Sequence, residues 1–191
     1  MMANYNTIRK GFTVAELLVV VLIISLITSA GAGLYVGTFK KLQVEKVAYD
    51  FFLTAKYARL MAVEEQQQYK MELNLTTKGF YLTTTQFDEE SGQSQEQIVK
   101  NYYCKPVQME GEVTFEAAEI VPNGWETESD TDEIKSITFS PNGTAQSSVV
   151  QIGDGNTHYS ICISPATGKA KIFFGTVENV KVTTVDLDAE S

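Results

Sequence analysis

Glu16 is the lone carboxylate at the edge of a long apolar run near the amino terminus, and it stands fifth in the segment F-T-V-A-E that begins at Phe12. A charged side chain on a membrane-length helix costs roughly 2.5 to 3.5 kcal/mol at depth and less near the interface, so it calls for a partner. No cation accompanies it within the apolar run. Scission of the peptide bond between Gly11 and Phe12 would create one, an α-amine on Phe12 that an identical or related neighbouring chain could present to Glu16. If that bond were cut, self-assembly would satisfy the charge.

Other residues able to do chemistry are sparse. A Ser-His-Asp or Cys-His site would have to use His158, the single histidine. That residue follows the Asp154-Gly155 turn without a nucleophile-elbow pattern beside it and reads as an exposed strand-end side chain. Neither G-x-x-x-x-G-K-[ST] nor G-x-G-x-x-G occurs, so nucleotide chemistry finds no phosphate cradle. Nothing in the sequence argues for an enzyme, and no cofactor or metal is expected. The 24 acidic against 15 basic residues give a net charge of −9, which repels nucleic acid. Residues 185–191, V-D-L-D-A-E-S, are acidic too and speak against DNA binding.

The elements that must position Glu16 follow from the hydropathy pattern. Residues 17–39 hold no charge over 23 positions, and a bilayer core takes about 20 as a helix. Eleven hydrophilic residues, 1–11, precede it, and no A-x-A-like cleavage site follows, so an ordinary secretory signal fits poorly. Basic residues flank the run on both sides, Arg9 and Lys10 against Lys40 and Lys41, which leaves the orientation tied by charge alone. Beyond the run the helical period persists in Val44, Val47 or Ala48, Phe51, Ala55, Ala58 and Ala62. The expected helix runs from Phe12 to about Val63. Gly31, Gly33 and Gly37 mark either a flexible segment within it or a small-residue packing face.

After Glu65 the period becomes two. Tyr69, Met71 and Leu73 alternate with polar residues, Phe80 and Leu82 follow a Lys78-Gly79 turn, and Ile137, Phe139, Tyr159, Ile161 and Ile163 behave likewise. The turns Asp154-Gly155 and Pro165-Ala166-Thr167-Gly168 divide a C-terminal meander that ends in Ala170 to Phe174 and in Val180 to Leu187. The fold class expected is α+β, a long N-terminal transmembrane and amphipathic helix packed on an antiparallel β-sheet domain. Its parts are a leader over 1–11, a membrane half of the helix over 12–39, an amphipathic half over 40–65 and a β-rich globular domain over 66–191. Residues 86–135 read as variable loops.

The junction K-G-F-T-V-A-E-L-L-V-V-V closely resembles the class III signal sequence of type IV prepilins and type II secretion pseudopilins. The text I-T-F-S-P-N-G-T-A at 137–145 and Y-S-I-C-I-S-P-A-T-G-K-A-K-I at 159–172 resembles the C-terminal domain of H-type minor pseudopilins. The resemblance implies that a prepilin peptidase cuts between Gly11 and Phe12 and N-methylates Phe12, and that Glu16 serves assembly. It implies an inner-membrane protein with a single span and a periplasmic C-terminal domain. Other pseudopilins or pilins, the inner-membrane assembly platform and membrane lipid would be its partners. In an oxidising periplasm, Cys104 and Cys162 would form a disulfide worth about 4 kcal/mol in the loop-entropy model.

The acidic run at 126–133 reads as a solvated loop. A Ca²⁺ ion held by its carboxylates is the alternative, since some major pseudopilins use calcium, but EF-hand spacing is missing. Trp125 beside it is core or a partner contact. The function expected is that of a minor pseudopilin of the type II secretion pseudopilus. The alternatives are a minor type IV pilin that primes pilus assembly and a membrane-anchored periplasmic binding module that never polymerises.

Overall fold

The structure is a computed structural model that describes residues 11–88, 93–121 and 133–176, and the side chains of all of these except 29–36, 86–88 and 93–94. Contacts divide the chain into a first unit ending at Lys40 and a second beginning at Lys41. Helix α1 (Val14–Glu64) contributes to both. Its backbone is helical through Gly31, Gly33 and Gly37. Among the described residues no helix is long and apolar enough to cross a membrane. The described apolar side chains at 14–28 span 15 positions, and the side chains that follow at 29–36 lie outside the description.

In the second unit the three- and four-residue recurrence of apolar positions becomes a buried stripe of Val44, Val47, Ala48, Phe51, Ala55, Ala58 and Ala62. Alanines in the last two turns let the helix approach closely, while Phe51 fills the space between layers. Its ring meets Phe80 edge-on at 5.1 Å and Phe115 at 6.3 Å.

Those two phenylalanines belong to different sheets. The first sheet holds β1 (Tyr69–Asn74), β2 (Gly79–Asp88), β3 (Gln93–Ile98), β4 (Val107–Gln108) and β6 (Ile134–Phe139), with β1 between β2 and β6. Met71 is registered between Leu82 on β2 and Ile137 on β6, and all three are fully buried. The second sheet has the order β5 (Thr114–Ile120), β7 (Ser148–Gly153), β8 (His158–Ile163), β9 (Ala170–Phe174). Val150 on β7 faces Ile161 on β8 and both join the same core as the helix stripe. Each such buried aliphatic or aromatic side chain contributes about 1.5 to 3 kcal/mol, which is what selects the inward face of every strand.

The last turns of α1 also hold two loops. Arg59 donates from Nε to the Thr167 carbonyl oxygen at 2.6 Å, and Gly168 has φ +58° in the turn between β8 and β9. A Cβ on Gly168 would meet the Gly143 carbonyl oxygen at 2.6 Å and Arg59 Cδ at 3.1 Å, so only glycine lets the turns at 140–143 and 164–168 close on each other over the arginine. These are the S-P-N-G and S-P-A-T-G segments of the sequence.

Two expectations change. Residues 86–135 are not all loops, because the end of β2 together with β3, β4 and β5 falls within them, and β7, the strand that leads into the expected Asp154-Gly155 turn, had been given no residues. Trp125, residues 126–132 and the strand expected over 180–187 lie outside the described residues.

Candidate functional site

The first unit is built around the start of α1. Thr13 is the N-cap and Glu16 the third helical residue. The Glu16 backbone N–H donates to Thr13 Oγ1 at 3.3 Å, and Glu16 Oε2 accepts the Thr13 backbone N–H at 2.9 Å and its hydroxyl at 3.0 Å. This is a reciprocal capping box, and T-V-A-E is its sequence signature, a signal in the junction that the charge argument passed over. These bonds come from a neutral residue, so the want of a cation beside Glu16 in the apolar run stands, while Thr13 supplies the carboxylate with hydrogen bonds from its own chain. The carboxylate's charge lies at the positive end of the helix dipole, and what remains for a neighbour is the net charge.

Around this cap the apolar side chains find no core. Phe12 is 78% exposed, Leu18 67% and Ile27 67%, and the valines, leucines and isoleucines between them point outward all round the helix. The hydroxyls in this stretch turn inward to the backbone. Ser25 Oγ donates to the Leu22 carbonyl and Thr28 Oγ1 to the Ile24 carbonyl, each at 2.8 Å. Gly11, just outside the helix, is exposed, and a Cβ added to it would meet nothing within 4 Å. Gly11 and Phe12, where cleavage is expected, and Glu16, expected to serve assembly, thus lie together on one accessible segment, while residues 1–10 lie outside the description.

Cys104 and Cys162 are not brought together. Both are free thiols, with Cys104 buried in the core cluster and Cys162 half-buried on the face of β8 opposite Ile161 and Ile163. Strand alternation sends Cys162 away from the core that contains Cys104, so the expected disulfide is absent here. Burial pushes both thiols up from their ordinary pKa. Among the described residues no group of three or more His, Cys, Asp or Glu side chains could hold a metal ion, and the acidic run apart from Glu133 lies outside the description.

His158 is not the exposed side chain expected from the sequence. Its Nδ1 lies 2.7 Å from Glu116 Oε2, and both side chains are partly buried. Glu116 sits at a bulge of β5, where the register shifts between Phe115 and Ala117. Gln151 Nε2 donates to Oε2 and the Gly155 N–H to Oε1 at 3.0 Å. A Cβ on Gly153 would fall 2.3 Å from Oε1, so the missing side chain there makes room for the carboxylate. The hydroxyl of Ser160 is bonded to the Gly175 carbonyl. The pair ties β5 to the β7–β8 hairpin.

Burial alone would raise the Glu116 pKa, but the hydrogen bonds from Gln151, His158 and Gly155 together outweigh it and hold the carboxyl below its usual range. Because the folded pKa is depressed, this stability is present above the unfolded value and lost as pH falls through the folded one. Glu116→Gln is expected to cost about 1 to 2 kcal/mol at neutral pH and to flatten the acid side of a plot of urea midpoint against pH. A variant with the parental acid slope would remove Glu116 from that dependence.

No family model matches the chain, and no curated protein matches it. Solved structures do. A crystal structure of the minor pseudopilin EpsH from the type II secretion system of Vibrio cholerae aligns with a TM-score of 0.53 at 12% identity, over 71% of this chain and 97% of that one. A second structure of the same protein aligns with a TM-score of 0.49 at 10% identity, over 69% of this chain and 97% of that one. The fold is that of a pilin-like pseudopilin, an N-terminal helix packed on antiparallel sheets.

Proposed function

We propose that the chain is a minor pseudopilin, a structural subunit of a type II secretion pseudopilus, cut between Gly11 and Phe12, methylated on the Phe12 amine and assembled through its N-terminal helix. One observation carries this reading: an apolar helical surface exposed on every side, headed by a capped carboxylate. A soluble monomer rarely leaves so much contiguous apolar surface to water, so lipid or neighbouring helices must cover it. Inward bonding of Ser25 and Thr28 suits either medium, since neither leaves a hydroxyl in need of water.

In this reading the first unit sits in the inner membrane and the second faces the periplasm. Prepilin peptidase processes the chain, and other pseudopilins and the assembly platform receive it. The protein needs no cofactor and performs no catalysis of its own. After the cut, a neighbour's Phe12 amine pairs with the charge that the capping box holds at the helix start.

Substitution of Glu16 tests this pairing. Glu16→Ala removes both cap and charge, whereas Glu16→Gln keeps the capping-box geometry and removes the charge alone. Both variants are expected to remain in the membrane fraction and to be missing from sheared filaments. Normal incorporation of the Gln variant would show that the charge plays no part in docking.

A further inference from the structure

Away from the helix start, the second unit carries a rigid aromatic turn at 100–105. Tyr102 and Tyr103 are 86% and 80% exposed and stack edge-on at 5.3 Å. The turn beneath them is held on several sides. Asn101 Oδ1 accepts the backbone N–H groups of Tyr103 and Cys104, its Nδ2 donates to Tyr57 Oη on α1 at 2.6 Å, and Cys104 is anchored in the core. Tyrosines presented on a fixed turn lose little entropy on binding, which is why such side chains dominate protein contacts. Lys100 and Lys105 flank them, both exposed, and among the described residues neither has an ion-pair partner, on a chain whose net charge is −9.

A cleft of complementary character lies elsewhere on the same unit. Val47, Val107 and Val113 line it together with Gln43 and Gln108, and its charged lining is Asp50 and Glu110 against the single Lys46. Its volume of about 130 Å³ is far below the roughly 300 Å³ at which small-molecule sites begin and is suited to one side chain. Burial raises the Asp50 pKa and Lys46 offsets this only in part, so a further cation there would be favoured. The turn is bonded to Tyr57 and the cleft opens at Asp50 and earlier positions, so the two features are offset by at least seven residues of helix, about 10 Å. One molecule cannot fill its own cleft across that offset with a turn so firmly held.

We propose that the turn at 100–105 is a knob that docks into the 43–50 and 107–113 cleft of a second copy of this chain, one tyrosine entering between the valines and the lysines meeting Asp50 and Glu110. The contact joins unlike surfaces of the two copies, so made one way it is heterologous and leaves each copy a free knob or cleft for the next neighbour, whereas made reciprocally it closes a dimer. This rests on the polymerising role proposed above and names one surface that such a polymer would use.

The test uses the full chain in detergent, purified from its host as an equal mixture of natural-abundance and ¹⁵N-labelled copies, with a photoreactive benzophenone amino acid in place of Tyr102. Irradiation is expected to join position 102 of one isotopic copy to a peptide of the other containing Asp50 or Glu110. Reversing the acidic lining by Asp50→Lys with Glu110→Lys is expected to lower the yield at least about tenfold. Lys100→Glu with Lys105→Glu on the probe-bearing copy is expected to restore it, and that rescue separates lost contact from lost folding. Cross-links to another region, to another protein only, or indifferent to charge reversal would overturn the proposal, as would none between copies. The N-terminal mass of the same sample reports processing independently. A chain cut at Gly11 without this cross-link sinks the surface and leaves the processing standing, and an uncut chain that forms it does the reverse.

Discussion

Gly11→Val is expected to leave the chain uncut in its host, with processing slowed at least about 100-fold, the equivalent of about 2.7 kcal/mol of transition-state binding. The reason is local and separable from folding. Gly11 lies outside α1, it is exposed, and a Cβ there meets nothing within 4 Å, so a valine can be accommodated without disturbing the helix or its capping box. Whatever the substitution blocks must be approach of a processing enzyme to the backbone. Equal thermal unfolding of the two proteins, with full-length mass retained by the variant, is the expected pair of results. Processing of the variant at the parental rate would mean that Gly11 is not read.

Phe51→Ala is expected to have the largest effect on stability. The side chain is fully buried, and its ring contacts Phe80 on the first sheet and Phe115 on the second, so it joins the helix to both layers at one point. Truncating it removes transfer free energy and leaves a cavity bounded by two strands and a helix that cannot all collapse inward, a loss of about 3 to 5 kcal/mol. For a chain of this size that corresponds to a fall in Tm of roughly 6 to 20 °C. Leu53→Ala, two residues on and largely exposed, is the control and should shift Tm little. Similar losses at both positions would contradict the burial pattern.

How much of this was legible from the residues depends on where a single physical signal dominates. The helix stripe could be read because Val44, Phe51, Ala55, Ala58 and Ala62 repeat at the helical period and their burial follows from it. Strand β1 could be read because Tyr69, Met71 and Leu73 alternate with polar residues and one face alone is buried. Strand β3 could not, because Q-S-Q-E-Q-I has no apolar face, and its pairing is set by β2. In β5 the bulge at Glu116 interrupts the alternation that would have revealed it. In β7 both faces are covered, so S-V-V-Q-I-G shows no alternation to read.

The candidate site divides in the same way. Gly11, Phe12 and Glu16 stand within six positions of one another, and their accessibility follows from that local sequence. The capping box was present as T-V-A-E but had to be recognised as geometry instead of charge. The pairing of Glu116 with His158 spans 42 positions and depends on a bulge, a glycine and a hairpin that come together only in the fold. Cys104 and Cys162 suggested a bond from their number and an oxidising periplasm, and the alternation of β8 turns Cys162 away from the core that holds Cys104.

The central claim is that the apolar segment becomes an assembly element by gaining an amine at Phe12. Intact-mass and N-terminal peptide analysis of the protein isolated from the membranes of its host measures that directly. The predicted product begins at Phe12 and carries one methyl group on its amine. A mature protein that still begins at Met1 or Met2 would contradict the claim.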